Sequence, residues 1–264
     1  MKRSLIIALF FPLLTKGQSI IANDGDLQGI LLMLHASNRS LFDPDLSIQD
    51  SSSPKTKITL ISGNRYNMKE FSHITGAVSW GNDHGMMGFI GSSVGMAGLN
   101  RISMNLHYTQ QLSSDLHAGM AMGIMRMKFD REAGDAKGLI ALRVIQTIQV
   151  KTSFGVGISA IRDLKSKTSQ TLKSWGSWCS RLVNPNIRLG VSIEKEDGLD
   201  PQFRIMSETK VGKNWTIAGG WALGNGSISM ALLRQSKKTM QGLHISNHPL
   251  LGYGIEFILQ YARR

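Results

Sequence analysis

Apolar and polar residues alternate along most of the chain from Lys57 onward, in segments of roughly 8–12 residues. A period of two is typical of β-strands, because successive side chains of a strand point to opposite faces. In one such segment, Ile102, Met104 and Leu106 alternate with polar residues. The pattern predicts about 13 strands. They cover residues 57–63, 71–80, 85–96, 101–109, 114–127, 138–150, 153–161, 187–194, 201–210, 214–223, 226–235, 239–247 and 253–262.

Two architectures accommodate so many neighbouring strands: a water-soluble β-sandwich and a closed up-and-down barrel. The strand lengths are close to the ~9–11 residues that cross a bilayer at a tilt. The less apolar face of the segments carries charged residues, amides and many glycines, as a barrel lumen does. Aromatic residues lie near strand ends, where interfacial girdles belong; they are Tyr66, Trp80, Tyr108, Trp215, Tyr253 and Tyr261. These features favour an all-β fold, a transmembrane up-and-down antiparallel β-barrel of about 12–14 strands over residues 57–264.

The N-terminus has the three-part layout of a secretory signal peptide. Lys2 and Arg3 precede an apolar core from Leu5 to Leu14, and small and polar residues follow it. The apolar core is shorter than the roughly 20 residues that a membrane-spanning helix needs. We therefore predict a signal peptide over residues 1–17. We expect residues 18–56 to form an N-terminal segment, either a short helix that plugs the barrel or a periplasmic rim.

The composition narrows the classes of partner. The formal net charge of +12 could indicate nucleic acid. However, the basic residues are scattered through apolar, glycine-rich segments without a recognised nucleic-acid motif. We therefore expect no nucleic-acid partner. Basic loops on a membrane protein would instead meet outer-membrane lipid head groups. The single Cys179 permits no internal disulfide, and the histidines lack metal-ligand spacing, so we expect no metal and no cofactor.

The segment from Ile161 to Pro185 is predicted to be a long, basic connection that carries two tryptophans. Such a loop can be a solvated connector, or it can dock a protein partner or lipid head groups through aromatic anchors and positive charge. The candidate binding residues are Arg162, Lys165, Lys167, Lys173, Trp175, Trp178 and Arg181.

The stretch "LHISNHPLLG" allows two interpretations. His244 and Ser246 are spaced so that they share one face of a strand, and an imidazole could then take the proton of the serine hydroxyl. Alternatively the stretch is a hairpin, in which Pro249 ends one strand and Gly252 lets the chain reverse. The sequence offers no oxyanion donor, and Asn247 falls on the opposite face from His244, so we favour the hairpin and predict no catalytic residues.

Three stretches carry a resemblance to a known group. They are "GNRYNMKEFSHITGAVSW" (Gly63–Trp80), "PNIRLGVSIEKEDGLDPQFRIMSETKVGKNWTIAGGW" (Pro185–Trp221) and "HPLLGYGIEFILQY" (His248–Tyr261). In this order they resemble an early hairpin, the late meander strands and the closing hairpin of outer-membrane barrels of the PorV and PorP type, which are related to the FadL-type fatty-acid transporters. The resemblance extends over most of residues 57–264.

The resemblance implies an outer-membrane location and, less directly, a function, since a fold does not fix one. PorV- and PorP-type barrels are associated with type IX secretion, so the leading hypothesis is a non-enzymatic, secretion-associated barrel that binds other envelope or secretion-system proteins. The first alternative is FadL-like passive uptake of small hydrophobic molecules. The second is an outer-membrane lipid hydrolase that uses His244 and Ser246.

Overall fold

The computed structural model describes residues 56–64, 72–81, 85–96, 99–129, 135–148, 152–164, 170–181, 187–223, 226–248 and 252–263. The predicted signal peptide and nearly all of the predicted N-terminal segment lie outside these residues. Among the described residues, no helix has the length and apolar character to cross a membrane. The strands are β1 (Thr56–Asn64), β2 (Ser72–Gly81), β3 (Gly85–Met96), β4 (Leu99–Ser113), β5 (Leu116–Phe129), β6 (Asp135–Ile148), β7 (Thr152–Asp163), β8 (Gln170–Arg181), β9 (Ile187–Glu196), β10 (Gln202–Val211), β11 (Trp215–Ala222), β12 (Ile228–Gln235), β13 (Thr239–His248) and β14 (Gly252–Arg263).

The strands form one closed barrel in which each pairs with its neighbours in the chain. Closure is made by antiparallel pairing of β1 with β14, which places Leu60 opposite Leu259. Closure leaves no strand edge unpaired, which is a condition for backbone that crosses lipid. The predicted all-β, up-and-down antiparallel barrel is confirmed, and its strand count lies within the predicted range.

The prediction of a long connection between Ile161 and Pro185 is wrong. Ile161 to Asp163 complete β7, and Gln170–Arg181 is a strand, β8, that pairs with β7 and with β9. The sequence of β8, "QTLKSWGSWCSR", lacks a consistent alternation, because Ser and Trp each occur at both odd and even positions. Hydrogen bonds from its backbone to β7 and β9 stabilise β8 as a strand although its apolar pattern does not predict one, since each backbone group in the ladder has a partner.

The two faces of the barrel wall differ as the alternation predicts. On β1, Ile58 and Leu60 are 47% and 44% exposed, whereas Lys57 and Thr59, which alternate with them, are buried. The same alternation recurs on β2, where Ile74 and its neighbours at even positions are exposed. A sheet that exposes its apolar face and buries its polar one is suited to a lipid environment, where the exposed side meets acyl chains.

Aromatic side chains mark two levels on the outer surface. Near the end of the barrel that holds Thr56 and Arg263, the exposed aromatics include Trp80, Tyr108, Trp215 and Tyr261. Near the other end they are Phe203, Trp221 and Tyr253. Amphipathic rings at two levels are typical of membrane–water interfaces. Tyr66, which the sequence also assigned to a girdle, lies outside the described residues.

The connections allow an orientation to be assigned. At the end that holds Thr56 and Arg263, most turns are short, as at residues 114–115, 212–214 and 236–238. The opposite end carries the longest connection, residues 65–71. Because bacterial barrels keep their shorter turns in the periplasm, we assign the end with residues 65–71 as extracellular.

Candidate functional site in the barrel lumen

A carboxylate and two histidines meet on the inner wall near the extracellular end. Nδ1 of His244 donates to Oε2 of Glu256 across 2.9 Å, on the directly paired strands β13 and β14. Nε2 of His73 lies 3.3 Å from Oε1 of the same carboxylate, which is ion-pair distance although the geometry is not that of a hydrogen bond. All three side chains are buried. We call this set the Glu256 cluster.

A glycine on β1 allows this contact across three strands. Gly63 lies opposite His73 on β2 and opposite Glu256 on β14. A Cβ on Gly63 would lie 2.8 Å from Cα and 2.9 Å from Cγ of Glu256, so the glutamate side chain occupies the space above the glycine. The carboxylate can therefore cross β1 and reach His73, two strands from its own.

The Glu256 cluster fixes the orientation of His244 but does not assemble the predicted hydrolase. Ser246 follows two residues later on the same face of β13, yet no hydrogen bond joins it to His244 in the described part of the chain. His244 is only 8% exposed and faces the lumen, whereas a lipid ester would lie outside the wall. The group that orients His244 is Glu256 rather than Asn247, and it was not predicted from the sequence.

The closing stretch of the sequence is a hairpin, as favoured. His248 ends β13 and lies opposite Gly252, the first residue of β14. Gly252 has a φ of 89°, a conformation that glycine adopts without steric cost. Pro249, which was predicted to end the strand, lies outside the described residues.

Apolar side chains form a buried patch at the middle levels of the lumen, which we call the apolar lumen cluster. Leu233 on β12 lies over Gly242 on β13, because a Cβ there would contact the leucine side chain. Ile258 is the next residue around the wall, and Ile61 on β1 lies directly opposite it. The cluster consists of Ile61, Ala77, Ile90, Ala218, Ala231, Leu233 and Ile258, with the partly buried Met240 packed against it.

Polar groups surround the apolar lumen cluster. On the periplasmic side, Nε2 of Gln260 donates to Oγ1 of Thr59 across 2.9 Å, and Lys57 lies one lumen position further. To one side, the hydroxyls of Ser92 and Ser103 are 2.6 Å apart between β3 and β4. The lumen therefore combines the polar interior that the sequence predicted with an apolar patch that it did not.

The predicted binding loop is divided between two strands and a connection. Arg162 is exposed near the extracellular end of β7. Lys173, Trp175, Trp178 and Arg181 belong to β8, whereas Lys165 and Lys167 lie outside the described residues. Along β8, Trp175 pairs with Gly157 and Trp178 with Phe154, so the tryptophans take part in the sheet rather than in a loop. Binding of a partner by these residues stays a prediction.

A groove of about 600 Å³ crosses the outer wall from β3 to β7. Its rims are outward-facing apolar side chains, including Leu106, Met122 and Ile140. Gly123 and Gly138, which have no side chains, also line it, as does Arg162 at one end. Among the described residues, no group of three or more His, Cys, Asp and Glu side chains is arranged to hold a metal ion.

No protein family matches the chain, and no curated protein matches it. Solved structures share its fold. The CymD monoaromatic hydrocarbon channel aligns with a TM-score of 0.60 at 10% identity, over 83% of this chain and 91% of CymD. The outer membrane protein Omp33 of Acinetobacter baumannii aligns with a TM-score of 0.55 at 6% identity, over 79% of this chain and 98% of Omp33. A deltaS2S3 mutant of the TodX monoaromatic hydrocarbon channel aligns with a TM-score of 0.53 at 8% identity, over 79% and 88% of the two chains.

Identities this low show the fold alone. Together with the exposed apolar belt, that fold makes the chain an outer-membrane β-barrel, as the sequence predicted. The narrower resemblance to PorV- and PorP-type barrels stays a prediction. None of these three structures is named as an enzyme.

Proposed function

We propose that the protein is a non-enzymatic outer-membrane channel for passive uptake of small, largely apolar molecules. The observation that carries this proposal is the apolar lumen cluster. A lumen that conducted only hydrated solutes would be polar at every level. Here Ile61, Leu233 and Ile258 are nearly fully buried inside the barrel. Two structures of similar fold are titled monoaromatic hydrocarbon channels, which supports the proposal without establishing it.

The apolar lumen cluster would select for apolar solutes by two effects. A hydrophobic constriction disfavours water and ions, since neither finds hydrogen-bond partners there. An aromatic ring that buries about 150–250 Å² would gain roughly 4–6 kcal/mol from contact with apolar side chains. Flexible Met240, packed against the cluster, can adjust to solutes of different shape. Passage would be downhill and would need no energy source.

Uptake can be measured with N-phenylnaphthylamine, an apolar dye that fluoresces when it crosses the outer membrane into the bilayers of cells. Cells that express the wild-type protein are expected to take up the dye several-fold faster than cells with an empty vector. Leu233→Gln places an amide in the cluster and should reduce the rate toward the vector level. Leu233→Met keeps the site apolar at similar volume and serves as the matched control.

Ion conductance in planar bilayers separates this proposal from a general porin. The wild-type protein should conduct ions weakly, and Leu233→Gln should conduct them better. Dye uptake equal to that of the vector control, at equal amounts of folded barrel, would show that the uptake proposal is wrong. Strong ion conductance by the wild-type protein would identify a general aqueous pore instead.

The secretion-associated role remains a separate proposal that rests on the resemblance to PorV- and PorP-type barrels. It predicts stable complexes with other envelope proteins, which chemical crosslinking in intact cells followed by affinity purification would capture. Recovery of the barrel alone would count against it. A hydrolase that depends on Ser246 would lose all lipase activity on Ser246→Ala.

A further inference from the structure

The groove on the outer wall combines an apolar trough with positive charge at one end. Its two rows of exposed side chains follow the strand register. Leu106, Met122, Ile140 and Ala160 lie in one row, and Met104, Ile124, Gly138 and Arg162 in the other. Gly138 interrupts the second row between Ile124 and Arg162, and the small Ala160 ends the first. A furrow in an otherwise apolar belt has the shape and chemistry to hold an acyl chain.

Basic side chains stand where the groove approaches the extracellular interface. Arg162 lines the groove directly. Arg126 lies two residues beyond Ile124 on the outward face of β5, and Lys128 lies two residues beyond Arg126. Because neighbouring strands are about 4.8 Å apart, β5 and β7 are separated by about 10 Å, which the two long arginine side chains can span. Arginine is well suited to phosphate through paired N–H donors.

We propose that this groove is a specific site for a phosphate-bearing, multi-acyl lipid of the outer leaflet. An acyl chain lies in the furrow, and the phosphates face Arg126 and Arg162. The site lies on the outside of the wall and is independent of transport through the lumen.

The test uses the purified full-length barrel in a non-ionic detergent, titrated with diphosphoryl lipid A and followed by native mass spectrometry. The double substitution Arg126→Gln and Arg162→Gln should weaken binding at least tenfold, because both charge-assisted contacts are lost. Ala160→Leu fills the furrow without changing charge and should also weaken binding several-fold. Arg234→Gln is the matched charge control, since Arg234 packs over Trp215 at the periplasmic end, with its guanidinium carbon 5.7 Å from the ring centre.

Further measurements distinguish the parts of the site. Monophosphoryl lipid A should bind more weakly than the diphosphoryl form, and inorganic phosphate should not compete at millimolar concentration. A loss of binding confined to the arginine variants, together with full competition by phosphate, would refute the groove as the acyl site. Equal binding by the wild type, the arginine pair and Ala160→Leu would overturn the proposal. Heat-modifiability gels confirm that each variant is folded before it is titrated.

Discussion

At the scale of single residues, the most informative feature is a carboxylate shared by two histidines. Glu256 contacts His244 on the directly paired strand β13, and it reaches His73 on the other side because Gly63 lies between Glu256 and His73. A buried carboxylate is stabilised by such contacts, since desolvation is offset only when the charge has partners. The histidines therefore have a structural reason to face the lumen that involves no catalysis.

Replacing Glu256 tests this coupling. We expect Glu256→Gln to lower the free energy of unfolding by about 1–3 kcal/mol, because the charge-assisted hydrogen bond to His244 is lost. In a double-mutant cycle with His244→Gln, the coupling energy should be about 1–2 kcal/mol. Urea unfolding of the barrel in lipid vesicles, followed by tryptophan fluorescence, provides the measurement. Additive effects of the two substitutions would show that the contact contributes nothing.

Two glycines on adjacent strands make a matched comparison. Gly63→Ala should destabilise the barrel by about 1–3 kcal/mol, because the new methyl group meets backbone and side chain of Glu256. Gly76→Ala on β2 should be neutral or stabilising by up to about 1 kcal/mol, since nothing lies within 4 Å of its added Cβ. Thermal unfolding of the two variants measures both effects. A larger loss for Gly76→Ala would contradict the close approach at Gly63.

At the scale of elements, β8 is the strand that apolar alternation in the sequence does not predict. Thirteen of the strands follow apolar alternation closely enough to be recognised, with ends displaced by a few residues. β8 contains three serines and its apolar residues do not alternate, so its sequence resembles a connection. Its neighbours β7 and β9 determine its conformation, because an unpaired gap between them would leave two ladders of backbone groups unsatisfied.

Proline in the middle of β8 distinguishes a strand from a loop. Ser177 pairs with Gly155 on β7 and with Ser192 on β9. We expect Ser177→Pro to prevent formation of the folded barrel, because proline removes a ladder hydrogen bond and is excluded from central strands. Ser177→Thr keeps the N–H and should fold normally. Normal amounts of folded Ser177→Pro in the outer membrane would mean that the segment is a loop after all.

At the scale of the whole molecule, closure explains how the chain is stable without a disulfide. Residues from Thr56 to Asn64 pair in register with residues from Ile255 to Arg263, so the first and last strands protect each other. The outer face then contributes apolar area to lipid rather than to an internal core. Stability of this kind resides in a continuous ring of backbone hydrogen bonds, which detergents such as dodecyl sulfate disrupt slowly.

The ring of hydrogen bonds predicts a heat-modifiable protein. When outer-membrane extracts are run without boiling, the folded barrel should migrate faster in a denaturing gel than the same protein after boiling, because the compact barrel resists unfolding. The Ser177→Pro variant should show only the slow band. A single band at the same position with and without boiling would be incompatible with a closed barrel.

Much of this architecture could be predicted from the sequence because its physical cause is local. A period of two between apolar residues, strand lengths matched to a bilayer and aromatics near strand ends all follow from neighbours in the chain. For the same reason the hairpin at His248 and Gly252 could be predicted from a proline and a glycine a few residues apart. The Glu256 cluster could not, since His73 and Glu256 are far apart in the chain and their meeting depends on closure.

The sequence by itself thus determined the class of fold, the two faces of each regular strand and the membrane as the environment, because alternation records which side of a strand meets lipid. Only the tertiary structure decided the strand count, the strand identity of β8, the partner of His244 and the apolar lumen cluster. Each of these depends on register between strands, and register brings together side chains such as Ile61 and Leu233 that no local pattern connects.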